Sequence, residues 1–309
     1  MKTVLFLQSN REQTYTFAKF LRRAKTFELY FDKTSKYPKD KKFDVVIPCG
    51  AASTSLYFMA NGSMKIGQMD FAEENFITFD KIKTLEVVNR IGVPIPRTFT
   101  NKKDIDILPV FFKSLREDTY RERGIARTAR DLIDIKSKTV FYQELITTPG
   151  TYSVGYLADK GKIMTAFAQK EVISVPYHGG SAVVLEKWDD PRLFEYTERI
   201  VKEIGYSGWG LAEYKYCDKR DDYVFMEINA KFWASIEFTF LNNPLFLKLL
   251  FDIDAKQKDI KKAVFINRVI QSDLSVFPKI YPHLWGSKWL KTEPISHAIK
   301  ERLQNKRKN

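Results

Sequence analysis

Gly208 to Ser235 reads GWGLAEYKYCDKRDDYVFMEINAKFWAS. Two runs of strand character, Leu211 to Tyr216 and Tyr223 to Asn229, are joined by a charged turn, Asp218 to Asp222. A hairpin centred on Arg220 sets Glu213 opposite Glu227. Directly opposed side chains lie about 4.5–5.5 Å apart at Cβ. Along the second strand, Glu227, Asn229 and Lys231 recur every second residue and so share a face. Two carboxylates and an amide oxygen converging there are hard oxygen ligands, and a cation would relieve the repulsion between the carboxylates. That suits Mg²⁺, which takes few protein carboxylates and completes its shell with water and phosphate oxygens. The face is flanked by Phe225, Met226, Phe232 and Trp233. Carboxylates are rarely set among so many core residues without a partner.

Upstream, strand and helix signals alternate. Thr3 to Leu7 is an apolar run of strand length, Arg11 to Arg23 has helical spacing, and Phe27 to Phe31 and Phe43 to Ile47 return to strand character. This alternation predicts a small parallel α/β domain over residues 1–78. Pro48 to Ser53 falls at a strand's carboxyl end, the edge where open α/β sheets bind ligands. Asp80 is placed to cap a helix that Gly92, Pro94 and Pro96 terminate. Strands are expected over Pro109 to Lys113 and Lys138 to Ile146, a hairpin over Ser153 to Leu157 and Lys162 to Ala168, and a helix from Pro191 to Ile204.

With those elements in place, Met226 to Ser235 (MEINAKFWAS) resembles the E-x-N-x-R-F-W-x-S signature of ATP-grasp enzymes, in the branch related to carbamoyl-phosphate synthetase. Other pieces follow in that family's order. Phe79-Asp80-Lys81 with Gly92 to Pro96 resembles the opening of its ATP-grasp domain. Pro109 to Lys113 resembles its phosphate-lysine strand, Phe141 to Ile146 its adenine hinge, and His178 to Ser181 its Gly-Gly turn. The joint order is more specific than any one motif. The resemblance implies an ATP-grasp domain over residues 79–251 with a lid around 110–175, preceded by the α/β domain and followed by a basic extension, 252–309.

The same resemblance implies roles for the matched residues. Glu213, Glu227 and Asn229 would hold Mg²⁺ (or Mn²⁺), and Lys113 and Lys170 would neutralise phosphate charge. Gln143, Glu144, Leu145 and Ile146 would bind the adenine and ribose of ATP. Lys231 replaces the family's usual arginine, keeping the charge and losing the bidentate fork. The stretch Arg116 to Arg127 stands where the family has a glycine-rich phosphate loop, with one glycine and four arginines. The implied activity is a carboxylate–amine ligase working through an acyl phosphate. The alternative is an ATP-binding module with lost or weak turnover that presents a basic surface to an anionic partner.

Composition limits the rest. The 309 residues are 44% hydrophobic and 29% charged, which excludes a disordered chain or a disulfide-stapled mini-protein. Cys49 and Cys217 stand far apart and outside any CxxC, so a reducing, cytoplasmic setting is expected. Cys49 has no nearby histidine in sequence and is expected as a small buried residue. No GxxxxGK[ST], GxGxxG or HExxH occurs. The net charge of +13 points to an acidic substrate, and fourteen Lys/Arg against six Asp/Glu lie from Lys248 onward. Phe277 to Leu290 mixes aromatics with lysines, so peripheral membrane contact is entertained; nucleic-acid binding rests on charge alone and is not expected. A monomer or homodimer is expected.

Overall fold

The apolar run at the N-terminus forms β1 (Lys2–Leu7), and the helical spacing after it forms α1 (Glu12–Ala24). β2 (Phe27–Phe31) and β3 (Val45–Pro48) flank β1, both parallel to it. The chain turns from β3 directly into α2 (Ala51–Asn61). Because β1 lies between β2 and β3, strand order reverses there, and a crevice opens at the carboxyl ends of β1 and β3. This computed structural model describes residues 1–38, 41–118, 122–175, 181–271 and 276–291, together with 293, 295, 296, 298 and 299.

A small hairpin, β4 (Met64–Ile66) and β5 (Met69–Phe71), buries Met64, Ile66, Met69 and Phe71 by simple alternation. Its turn requires Gly67: φ is +60°, and a Cβ there would stand 2.2 Å from the Leu250 carbonyl oxygen. Asp80 caps α3 (Lys81–Arg90) as expected, its Oδ1 accepting from the Lys83 N–H at 3.1 Å. Next come β6 (Thr98–Phe99), β7 (Val110–Ser114), β8 (Arg123–Ala126), α4 (Ala129–Asp134) and β9 (Val140–Glu144). Their strands form an antiparallel sheet in the order β6-β9-β7-β8. The stretch matched to a phosphate loop is thus partly strand, with Arg123 paired to Lys113; Thr119 to Arg121 lie outside the described residues.

The remaining elements are β10 (Thr151–Asp159), β11 (Lys162–Val175), β12 (Ser181–Lys187), α5 (Pro191–Ile204), β13 (Gly208–Cys217), β14 (Asp222–Asn229), α6 (Ile236–Asn242), α7 (Leu245–Phe251), β15 (Lys262–Phe265), α8 (Ile266–Gln271), α9 (Phe277–Ile280) and β16 (Lys288–Leu290). Seven of these strands make a mixed sheet, β14-β13-β10-β11-β12-β15-β16, antiparallel except for β15 with β16. Residues 151–175, expected within the lid, are instead interior strands of this sheet. On β10 every side chain from Tyr152 to Ala158 is buried, which suits a sheet covered on both faces and not a mobile flap.

One apolar core joins the two large regions. Phe232 stacks on Trp209 with centroids 4.6 Å apart, and Phe17 of α1 meets the Phe232 ring edge-on at 4.7 Å. Among the described residues no helix is long and apolar enough to cross a membrane. The matched His178, Gly179 and Gly180, and the tail from Lys300, lie outside the described residues.

Candidate active site

β7, β13 and β14 converge on a cavity of about 460 Å³ between the small sheet and the large one. Alternation decides which side chains reach it: Phe111 and Lys113 from β7, Glu213 and Lys215 from β13, Glu227 and Asn229 from β14, then Lys231. Glu213 faces Glu227, as expected, but a bulge makes it so. Near the turn Cys217 pairs with Asp222 and Tyr214 with Phe225; the register then slips, leaving Met226 as an extra residue. The slip brings Glu227 into opposition with Glu213, and the Met226 carbonyl accepts from Lys113 Nζ at 3.1 Å.

Three lysines close around these acceptors. Glu227 Oε2 accepts from Lys81 Nζ at 2.7 Å and from Lys113 Nζ at 3.0 Å. Lys81 also pairs with Glu117 at 3.0 Å. Lys231 donates to Asn229 Oδ1 at 2.6 Å and pairs with Glu117. Burial works against the Glu227 carboxylate, yet Lys113 and Lys81 outweigh it and hold its pKa well below the usual carboxylate range. Burial likewise pulls the Lys81 ammonium down, and Glu227 and Glu117 more than reverse this, so its pKa is raised. For Lys113 burial prevails over Glu227 and the pKa is lowered. For Glu213, burial first, then Glu227 and Glu171, outweigh Lys231 and Lys113 and push its carboxyl up to about 8.

This donor set fits one kind of cation. Among the described residues no three His, Cys, Asp or Glu side chains gather to cage a metal by themselves. Glu213, Glu227 and Asn229 offer two carboxylates and an amide on one face. Mg²⁺ suits such a partial shell, since phosphate oxygens and water supply the rest.

At the rim, Glu144, Leu145 and Ile146 line the cavity. Glu144 Oε1 accepts from the Arg97 N–H at 3.2 Å and pairs with Arg220. Gln143 points the other way; it is fully buried and its Nε2 donates to Thr98 Oγ1 at 3.3 Å. Lys170 is not brought to the site either. Its Nζ lies 5.0 Å over both the Tyr152 and Trp188 rings, while its neighbour Glu171 lines the cavity. Successive strand residues face opposite ways, and the cavity-facing parity on β11 belongs to Glu171. Lys170→Ala is therefore expected to change Mg-ATP affinity by less than about twofold, measured by calorimetric titration; a loss of tenfold or more would return Lys170 to the site.

Sequence reasoning missed Lys81, Glu117 and Lys215 as site residues. Lys215 carried a signal, being two residues beyond Glu213 on the same face; it donates to the Gly150 carbonyl at 2.6 Å. Lys81 stood in the quoted Phe79-Asp80-Lys81 motif without a role. Glu117 had no signal, because only the fold brings it to Lys231. Cys49 also lines the cavity, and burial pushes its thiol up to about 12, away from the thiolate form a nucleophile needs.

The fold has counterparts among solved structures. The chain is 16% identical to a biotin carboxylase from Campylobacter jejuni solved as a β,γ-ATP complex, covering 84% of this chain and 73% of that one, with a TM-score of 0.58. It is 13% identical to a D-alanine–D-alanine ligase from Bacillus anthracis over 82% of this chain and 96% of that one, TM-score 0.55. The chain has the ATP-grasp fold. A Rhizobium etli pyruvate carboxylase shares it too, at 13% identity and TM-score 0.59; 79% of this chain matches only 27% of that much longer one. No family model matches the sequence, and no curated protein matches it closely. In ATP-grasp terms, the cavity lies between the small four-stranded sheet and the large sheet, with the paired carboxylates on the large one.

Proposed function

We propose that this protein is an ATP-dependent carboxylate–amine ligase whose nucleotide-binding unit spans about residues 79–251. The observation that carries the reading is the convergence of Lys81, Lys113 and Lys231 with Glu213, Glu227 and Asn229 in one cavity. A charged network this well buried is costly as mere structure, because desolvation offsets much of its attraction. A polyanion and a divalent cation entering together would give both halves better partners.

Glu213, Glu227 and Asn229 would hold Mg²⁺ there. The ion they would hold would supply positive charge to offset the phosphates of ATP. Lys113 and Lys81, released from Glu227, are placed to neutralise the phosphates, and Lys231 to meet the transferred group. Leu145 and Ile146, with Glu144 beside them, offer the rim to the adenine and ribose. The substrate carboxylate attacks the γ-phosphate to give an acyl phosphate and ADP; an amine then displaces phosphate. Catalysis by this chain is positioning and electrostatics, as in other phosphoryl transfers. The basic surface favours an acidic acyl donor or acceptor, and two unpaired thiols fit a cytoplasmic setting.

The test is ADP and phosphate release from Mg-ATP with pooled carboxylic acids, each with and without pooled amines. Release that requires one acid, and falls about a hundredfold or more in Lys113→Ala protein, is the expected result. Tight Mg-ATP binding with no release from any pool would favour the binding-module reading. Failure to bind Mg-ATP at all would sink both.

A further inference from the structure

We propose that the face formed by Phe277 to Lys291 docks this protein on an anionic lipid bilayer surface. The inference is independent of the ligase reading, since none of these residues lines the cavity. Of the five tryptophans, Trp209 and Trp233 are buried and Trp188 is half-buried. The two exposed ones, Trp285 at 76% and Trp289 at 51%, stand together on this face. Phe277 (43%) and Tyr281 (51%) are exposed in the same stretch, their ring centroids 6.1 Å apart. Four large aromatics exposed within thirteen residues are not the scattered apolar exposure of an ordinary surface.

The face is built, not frayed. Ile280 and Leu290 are each 1% exposed and pin it to the core, and β16 continues the large sheet beside β15. Trp289 Nε1 donates to the Leu284 carbonyl at 3.3 Å, and Leu284 N–H to Tyr281 at 3.1 Å, so the aromatic turn is held together. Gly286 at φ +70° carries the chain round between Trp285 and Trp289.

Charge selects the occupant. From Leu274 to Thr292 the sequence has no Asp or Glu, and Lys279, Lys288 and Lys291 are all exposed. Tryptophan and tyrosine rings settle at the headgroup level of a bilayer, and interleaved lysines meet anionic headgroups without desolvation. Nucleic-acid platforms lean on arginine, whose plane stacks on bases and whose fork grips phosphate; Phe277 to Lys291 contains none.

Flotation of the full chain tests this, using phosphatidylcholine vesicles with and without a quarter of phosphatidylglycerol. Binding is expected only to the anionic vesicles, and it weakens as salt rises to about 0.5 M. Trp285→Ser/Trp289→Ser and Lys279→Glu/Lys288→Glu/Lys291→Glu proteins, with melting temperatures unchanged, are each expected to lose binding at least about tenfold. Brominated lipid is expected to quench wild-type tryptophan emission and to spare the double Trp variant. Absence of flotation with anionic vesicles, or flotation that both variants retain, overturns the proposal. Binding of a single-stranded oligonucleotide that both variants lose, with no vesicle binding, overturns it in favour of nucleic acid.

Discussion

Glu227→Gln protein is expected to lose ADP formation by about a hundredfold or more and also to unfold earlier than wild type. The carboxylate is the shared counter-charge of Lys81 and Lys113, at 2.7 and 3.0 Å. Glutamine keeps the shape and removes the charge. Lys81 retains Glu117, but Lys113 keeps only the Met226 carbonyl among these acceptors. Removing one partner of a buried pair costs about 3–5 kcal/mol. The pH dependence has a definite sign. The folded pKa of Glu227 is depressed, so its contribution is present above the unfolded value, about 4.3, and is lost as pH falls through the folded value. The stability gap between wild type and variant is therefore full at neutral pH and closes only in acid. Glu213→Gln is the contrast. Its carboxyl is raised to about 8, so at pH 7 the cation-free protein already holds it mostly protonated, which glutamine imitates. A raised carboxyl favours folding below its unfolded pKa and loses that contribution as pH rises through the folded value. Glu213→Gln should thus match wild type most closely near the unfolded value, about 4.3, gain on it progressively as pH rises toward 8, level off above that, and still lose activity. Urea melts of both variants across acid and neutral pH, beside turnover, check the pair. Equal destabilisation by the two substitutions would show that the charges are not arranged as described.

Much of this site was legible because strands have a period of two. The common face of Glu227, Asn229 and Lys231 follows from that period, and the position of one turn brings Glu213 and Glu227 to within one residue of opposition, which the bulge completes. Helix starts were legible for a similarly local reason: Asp80 and Asp190 each accept a backbone N–H at the head of their helices. What sequence could not supply is anything that depends on which face of a sheet meets which neighbour. Lys170 and Glu171 are adjacent, and no local rule says which faces the cavity. Met226 is one residue in an apolar run, and nothing in its neighbours marks it as the bulge. Lys81 and Glu117 meet Glu227 and Lys231 across separations of more than a hundred residues, through the packing of α3 and β7 on β14. The strand character of β10 was read correctly, but a strand of a mobile lid and a strand of a covered sheet share the same alternation. Only the burial of both faces separates them.

Phe232→Ala is expected to destabilise the protein by about 3–5 kcal/mol, the usual cost of an emptied phenylalanine site in a close-packed core. The ring is fully buried, stacked on Trp209 at 4.6 Å and 9°, and met edge-on by Phe17 at 4.7 Å. It thereby joins α1 to β13. Two of the cavity's walls depend on that joint. Lys231 immediately precedes Phe232, and the Phe232 carbonyl accepts from Gln13 Nε2 at 3.2 Å, while Gln13 also donates to the Cys49 carbonyl at the head of α2. Emptying the ring's volume should therefore loosen α1 and the β3–α2 turn before it unfolds β13, which keeps its ladders to β10 and β14. Hydrogen exchange is expected to rise over residues 12–24 and 49–54 at denaturant concentrations where β13 remains protected. Phe232→Leu, which fills most of the space, should lose less than half as much and leave the exchange pattern near wild type. If the alanine variant instead exchanges uniformly, the region ahead of residue 79 and the large sheet unfold as a single cooperative unit, and the Phe17–Phe232–Trp209 contact is one of many equivalent joints and not the hinge between them.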